Sequence, residues 1–174
     1  MVRETFQQIL EHNNVRQNLS TLRKDIKDSK ERLALLYQIG TNYDIFRKLL
    51  KSEDAKTRKN VALLIGELSI NVLLDDLYQA YEAEETMFVK SAYLTALKAY
   101  DYRAYLPQLK ARLNELTQVE LTEETRKHIT EEIRCISELI TLMEGVKMHK
   151  FTGYEKENDL VLICNGKYSN GLRQ

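Results

Sequence analysis

Apolar residues recur along most of this chain at the three- and four-residue spacing of an amphipathic helix. The clearest runs lie in residues 15–26 and 129–143. Because an α-helix turns once every 3.6 residues, each run forms one apolar stripe on one helical face. Only Gly40, Gly66 and Pro107 are helix breakers before Gly145. The pattern therefore predicts an all-α domain over residues 1–145.

Capping and breaking residues divide this domain into helices that follow one another in pairs. Asp28 or Ser29 is placed to cap a helix, Gly40 to end it, and Asp54 to cap another. The helix after Asp28 is predicted to carry the apolar residues Leu33, Leu36, Tyr37 and Ile39. After a first helix at 3–12, the predicted pairs are 15–26 with 28–39, 42–50 with 54–68, 72–81 with 85–100, and 106–116 with a long helix ending near Gly145.

One short phrase is written twice. DSKERLALLYQIG occupies residues 28–40, and DAKTRKNVALLIG occupies residues 54–66, with Asp, Lys, Arg, Ile and Gly in step. Self-similarity at a fixed offset is typical of repeat proteins, in which stacked units bury one another's apolar faces. The phrase predicts a capping Asp and an Arg that reaches back to it or to the Asp of the adjacent repeat. A degraded third copy retains Lys90 and Leu97.

The helical pairs resemble HEAT repeats over roughly residues 15–145. The residues that carry the resemblance are Asp54, Arg58, Ala62 and Ile65 in one copy, and Asp28, Arg32, Leu36 and Ile39 in the other. The proline typical of the first helix is present only at Pro107. The resemblance implies an α–α superhelix of about four HEAT-like helical pairs. It implies little about function, because one fold serves many functions.

The last segment, 146–174, has a different pattern. HKFTGY and DLVLIC read as short extended runs, and Asn165-Gly166 is a strong hairpin signal. The sequence thus predicts a short C-terminal β-hairpin or strand appendage. This segment is either a separate appendage or the start of a truncated second domain. The partner of the apolar strand is left open between the 149–154 segment, a second copy of the chain, and sequence beyond residue 174.

The tail also resembles the opening strand of the RNA-binding domain of THUMP-type RNA methyltransferases. The resemblance covers about fifteen residues and rests on Val161, Leu162, Cys164 and Lys167. It implies that the chain is the N-terminal accessory region of a larger enzyme. The glycine motif with which such methyltransferases bind S-adenosylmethionine is not in this sequence, so no cofactor is expected here.

Six residues are candidates for a binding face. They are Arg32, Arg58, Lys59, Lys90, Tyr93 and Tyr100, and Lys127 is a further candidate cation. Repeat proteins use the face formed by their second helices for partners, and tyrosines make good contacts at interfaces. The competing interpretation is that the two arginines pair with Asp28 and Asp54 while the tyrosine rings seal the core.

Composition limits the chemistry. The 26 basic and 26 acidic residues balance, so the excess of positive charge typical of nucleic-acid-binding proteins is absent overall. His128 with Glu124 and Glu132 is a weak metal pattern, and a solvated face is the alternative. No catalytic triad order or phosphate loop is present, so we expect neither catalytic nor metal residues. The sequence has no membrane span or secretory signal, and its two cysteines suit a cytoplasmic protein.

These observations favour a non-catalytic interaction module. Its expected partner is a protein or a C-terminal domain of the same polypeptide. RNA is a further candidate partner for the full-length protein, and a homodimer through the C-terminal strand is the alternative assembly. The alternative is an enzyme, since some DNA glycosylases for alkylated bases are built from HEAT-like repeats with a cationic concave face. Zero net charge and the lack of tryptophan weigh against that alternative.

Overall fold

The computed structural model describes residues 2–100, 103–157, 161–164 and 167–170, with side-chain environments up to Glu144. Within these residues there are nine α-helices and two 3-10 turns, Asn71–Leu73 and Arg103–Tyr105. The regular structure of the described residues before 158 is entirely helical, which confirms the all-α class. The helices are α1 Val2–Leu10, α2 Val15–Asp25, α3 Ser29–Ile39, α4 Asp44–Leu50, α5 Ala55–Leu68, α6 Leu74–Ala83, α7 Met87–Leu97, α8 Leu106–Gln118 and α9 Glu123–Glu157.

Two short strands follow the helices. Strand β1 (Val161–Cys164) pairs antiparallel with β2 (Lys167–Asn170), and Cys164 lies opposite Lys167. A two-stranded hairpin is at best marginally stable by itself in water. The predicted β appendage therefore stays a prediction, and Asn165-Gly166 lies outside the described residues.

The last helix is longer than the sequence pattern indicates. Helix α9 continues past Gly145, where we expected it to end, as far as Glu157. A single glycine inside a helix costs about 1 kcal/mol relative to alanine, so it does not by itself end a helix. The division of the chain into 1–145 and 146–174 stays a prediction.

The chain forms two compact units, Met1–Tyr100 and Asp101–Gln174. In the first unit α4 packs on α5 and α6 packs on α7, and in the second α8 packs on α9, as the predicted pairs require. Helices α2, α5 and α7 form one layer of the first unit, because α5 packs on both of the others.

The first predicted pair is different in the structure. Helices α2 and α3 are not among the closely packed pairs of the described residues; α2 packs on α1 and α5, and α3 packs on α1. The repeated phrase therefore begins two helices that occupy different positions in the fold. The two copies start their helices in the same way, but the helices pack in different environments.

That shared start is visible in both copies. The Asp28 carboxylate accepts hydrogen bonds from the backbone N–H groups of Lys30 at 2.8 Å and Glu31 at 3.2 Å. The Asp54 carboxylate accepts from the N–H of Thr57 at 3.0 Å and from its hydroxyl at 2.7 Å. Each aspartate thus satisfies N–H groups that have no partner inside the helix.

The apolar face of α3 was predicted incorrectly in part. Leu33 and Tyr37 are 68% and 84% exposed, whereas Leu35 and Ile39 are buried. Positions 35 and 39 are one helical turn apart, so they form a stripe as regular as the one that begins at Leu33. The sequence around α3 is apolar on two faces, and periodicity alone could not choose between them.

The two glycines of the repeated phrase have different roles. Gly40 ends α3 with a φ of +50°, a conformation that favours glycine. Gly66 lies inside α5, where it faces Ala96 of α7; a Cβ atom at position 66 would be 2.6 Å from the Ala96 Cα and 2.8 Å from its Cβ. The absence of a side chain at Gly66 therefore lets α5 and α7 approach each other.

Replacing Gly66 with alanine tests this contact. Helix propensity alone would make Gly66→Ala stabilising by about 1 kcal/mol. Because the added methyl group meets the Ala96 backbone, we expect instead a net loss of about 1–3 kcal/mol in the free energy of unfolding, as for other overpacked interiors. Urea unfolding followed by circular dichroism measures the change, and a gain in stability would contradict the close approach.

Candidate functional site

Arg58 connects the second helical pair to the third. Its Nε and Nη2 atoms donate to the two carboxylate oxygens of Glu84 at 2.7 and 2.9 Å. Its Nη1 atom donates to the backbone carbonyl oxygens of Ser52 at 2.7 Å and Glu53 at 3.0 Å. The sequence suggested either Asp54 or the Asp of the adjacent repeat as the partner, but the partner is a glutamate, and the Asp54 carboxylate accepts both hydrogen bonds of Thr57. Arg58 therefore joins α5 to the segment between α6 and α7.

Glu84 is the most buried carboxylate of this network, with 5% of its side chain exposed. Burial works to raise its pKa, but hydrogen bonds from the Arg58 side chain and the Thr86 N–H outweigh burial and hold the pKa below its ordinary value. The same ion pair raises the pKa of Arg58. Since Thr86 precedes α7, Glu84 fixes both the Arg58 side chain and the start of that helix.

A cleft of about 640 Å³ lies beside this ion pair, lined by Arg58, Glu84 and Tyr93 together with Arg47 and Asp76; we call it the α4–α6 cleft. Its second arginine is also paired, because the Arg47 Nε atom lies 3.1 Å from a carboxylate oxygen of Asp76. The arginines of the cleft are thus matched by acidic partners. These ion pairs join helices, so the two arginines are already engaged within the protein.

The two candidate tyrosines lie inside the first unit. Tyr93 has no exposed surface and its hydroxyl donates to the Leu50 carbonyl oxygen at 3.4 Å. The Tyr100 hydroxyl is within 3.2 Å of the Ile65 carbonyl oxygen and 3.1 Å of that of Ile70. Burial raises the pKa of each phenol to about 12. Both side chains tie the ends of neighbouring helices together from within.

The candidate cations lie in different local environments. Arg32 lies on α3, Arg58 is in its ion pair, and Lys127 is exposed on α9 in the second unit. The Lys90 Nζ atom lies 5.6 Å from the centre of the Tyr81 ring. Lys59 is different, because it lines a groove on the α2, α5 and α7 layer and its Nζ atom is 5.9 Å from the centre of the Phe88 ring.

This groove has a volume of about 420 Å³, and we call it the α2–α5–α7 groove. It is lined by Arg16, Gln17 and Ser20 of α2, Lys56, Lys59 and Asn60 of α5, and Phe88 of α7. Three of the seven side chains are cationic, three are neutral hydrogen-bonding groups and one is aromatic, so no acid is among them. Overall charge balance therefore conceals a local cationic surface.

The edge of the groove is held by a third ion pair. Arg23 of α2 binds the Glu67 carboxylate of α5 through its Nε atom at 3.0 Å and its Nη2 atom at 2.6 Å. Its Nη1 atom reaches the Asn60 side-chain oxygen at 3.4 Å. The pair holds α2 against α5, and Arg23 neutralises the charge of Glu67 within the protein.

Sequence reasoning identified one residue of the groove, Lys59, and missed the others. Lys56 and Lys59 are three residues apart on the face of α5 opposite its buried stripe, a spacing that could have been noticed. Arg16 comes from a helix about forty residues earlier, and no local signal links the two. Phe88 belongs to the apolar pattern of the helix predicted at 85–100, which favours a buried position, but 46% of it is exposed.

The weak metal pattern around His128 has another explanation. Glu132 is buried, and its carboxylate accepts hydrogen bonds from Arg112 at 3.1 and 3.4 Å. Within the described part of the chain, no three His, Cys, Asp or Glu side chains are placed to hold a metal ion. The same part contains no helix that is both long enough and apolar enough to cross a membrane.

Comparison of the chain with protein-family models, with curated proteins and with solved structures finds no significant match.

The Arg58–Glu84 pair predicts a large and pH-dependent contribution to stability. Breaking a buried ion pair leaves its partner uncompensated, so Arg58→Met should lower the free energy of unfolding by roughly 3 kcal/mol at neutral pH. The folded-state pKa of Glu84 is lowered, so this contribution exists above the ordinary value of 4.5 and is lost as pH falls through and below it. Urea unfolding at several pH values measures both effects.

Arg47→Met is a matched control, because the Arg47 side chain is 39% exposed against 18% for Arg58. A surface ion pair contributes up to about 1 kcal/mol, so the control should cost far less. Equal costs for the two variants, or an Arg58→Met variant with the wild-type loss of stability in acid, would contradict a special role for the Arg58–Glu84 pair.

Proposed function

We propose that this chain is a non-catalytic interaction module whose binding surface is the α2–α5–α7 groove. The observation that carries the proposal is the unbalanced charge of the groove lining, in which Arg16, Lys56 and Lys59 are the three charged side chains and no acidic side chain is among the lining residues. A cationic groove concentrates anionic partners and speeds their association. The proposed partner is therefore anionic.

The proposed architecture is a HEAT-like superhelix. Its support is the packing of α4 on α5 and of α6 on α7, with the second helix of each pair in the same layer as α2. In such an arrangement the second helices present one continuous face to a partner. The groove lies on that face, which is where a repeat protein would be expected to bind.

The proposed context is the N-terminal accessory region of a larger enzyme that acts on RNA. Its support is the resemblance of residues 152–168 to the start of a THUMP-type RNA methyltransferase region, together with a cationic groove suited to phosphates. The β appendage belongs to this proposal as the first strands of a following domain. If the tail is considered alone, the expected partner is a second copy of the chain bound through β1, or a protein in place of RNA.

The alternative is a HEAT-like DNA glycosylase, which the same cations and the exposed Phe88 also suit. Such an enzyme needs a carboxylate near the bound base. Glu67 is the acid joined to the groove through Arg23 and Asn60, and its oxygens are already bound by Arg23. Binding is therefore the proposed role, and release of a free base from alkylated DNA by this chain would favour the alternative.

The proposal predicts that reversing two charges in the groove weakens binding of folded RNA. A transfer-RNA mixture should bind the 174-residue chain at low ionic strength and less tightly as salt is added. The double variant Lys56→Glu, Lys59→Glu should bind at least about tenfold more weakly, because it replaces attraction to phosphates with repulsion. Fluorescence anisotropy with a labelled transfer RNA measures both affinities.

The matched control is Lys30→Glu, Lys48→Glu, which makes the same change in net charge at exposed positions of α3 and α4. It should retain most of the wild-type affinity. If both double variants lose affinity equally, binding follows net charge and not the groove. If the wild-type chain does not bind transfer RNA at low salt, the proposed function with an RNA partner is wrong.

A further inference from the structure

The α2–α5–α7 groove combines two features that different parts of a nucleotide recognise. Its cations suit phosphate groups, and the half-exposed ring of Phe88 offers an apolar, aromatic surface beside them. Single-stranded nucleic acids are bound in this way, by a cationic groove that follows the backbone and aromatic side chains on which the bases stack. Either feature alone would be unremarkable on a protein surface.

The cations of the groove are available for such contacts. Within the described residues, Arg16, Lys56 and Lys59 form no hydrogen-bonded ion pair, in contrast to Arg23, Arg47 and Arg58. Asp54 is an acidic residue close enough to Arg16 for the charge of Arg16 to lower the pKa of its carboxyl group. The Thr57 hydroxyl is the main cause of the lowered pKa of Asp54, and the charge of Arg16 adds a smaller effect.

The position of Phe88 also distinguishes it from the rest of α7. Val89, Tyr93 and Leu97 lie buried, whereas Phe88 is in the first turn of the helix and points to the groove. The Lys59 Nζ atom lies 5.9 Å from the centre of the ring, so charge and aromatic surface are adjacent. A base stacked on Phe88 would place its own phosphate close to that ammonium group.

A single strand fits these features better than a duplex does. In a duplex the faces of the bases are covered by their neighbours, so an aromatic side chain on the protein surface has no base to stack on. Gln17, Ser20 and Asn60 add neutral donors and acceptors to the groove, which suit the edges of an unpaired base or a ribose hydroxyl.

We infer that the α2–α5–α7 groove binds a single-stranded stretch of RNA, with phosphates on Arg16, Lys56 and Lys59 and one base stacked on Phe88. This inference rests on the proposed function and names the form of RNA that the surface recognises. Phe88 contributes stacking, and the three cations contribute the salt-dependent part of the affinity.

The test compares an unstructured RNA of about 12 nucleotides with the same sequence in a duplex, using fluorescence anisotropy and the 174-residue chain. The single strand should bind more tightly than the duplex. Phe88→Leu removes the aromatic ring but keeps an apolar side chain, and should weaken binding of the single strand roughly tenfold. Phe88→Tyr keeps a ring for stacking and should restore affinity.

Tyr37→Leu is the control for loss of an exposed aromatic side chain, because Tyr37 is 84% exposed on α3 and outside the groove. It should leave the affinity unchanged. The variant Lys56→Gln, Lys59→Gln should also reduce the slope of log affinity against log salt by about 0.7 for each phosphate contact removed. Circular dichroism melting of every variant separates a binding defect from unfolding.

Two results would overturn the inference, and they differ in what they mean. If transfer RNA binds through the groove but Phe88→Leu has no effect and the duplex binds as tightly as the single strand, the single-strand inference is wrong and the proposed function stands. If neither the oligonucleotides nor transfer RNA bind the wild-type chain, both are wrong.

Discussion

The close approach of α5 to α7 at Gly66 is the constraint on which the first unit depends. Helix α5 packs on α2, α4 and α7, and a side chain at position 66 would collide with the Ala96 backbone. Val61, Ala62, Leu64 and Ile65 of the same helix have no exposed surface. Because close packing sets the orientation of the buried face of α5, it also sets the orientation of the opposite face. Lys56, Lys59 and Asn60 therefore face the groove as a consequence of core packing.

The ion pairs divide the arginines of the first unit by role. Arg58 and Glu84 connect successive helical pairs under the surface, and Arg23 and Glu67 join α2 to α5 at its edge. Such pairs give little net stability when exposed but specify geometry when they are partly buried and bidentate. Arg16, Lys56 and Lys59, which form no such pair within the described residues, line the α2–α5–α7 groove. A chain with zero net charge can therefore present a cationic surface, and overall charge is a poor guide to its partners.

The local features of the fold could be predicted from sequence, and the long-range ones could not. Asp28 and Asp54 cap helices and Gly40 ends one, because each of these roles depends on residues within a turn or two. Gly66 occupies the same place in the repeated phrase as Gly40, but its role depends on Ala96 of another helix. Arg58 likewise pairs with Glu84, which follows α6, and Phe88 in the first turn of α7 is exposed. The groove joins three helices, so periodicity could suggest Lys59 but could not bring Arg16 beside it.

The most direct test of the account is to map where RNA contacts the chain. Backbone amide signals of the isotopically labelled 174-residue chain would be followed by nuclear magnetic resonance during titration with an unstructured single-stranded RNA. The account predicts that the largest changes fall on the α2–α5–α7 groove, at Arg16, Lys56, Lys59 and Phe88, while the α4–α6 cleft around Arg58 stays unchanged. Changes centred on that cleft or on α8 and α9, or no changes at all, would contradict it.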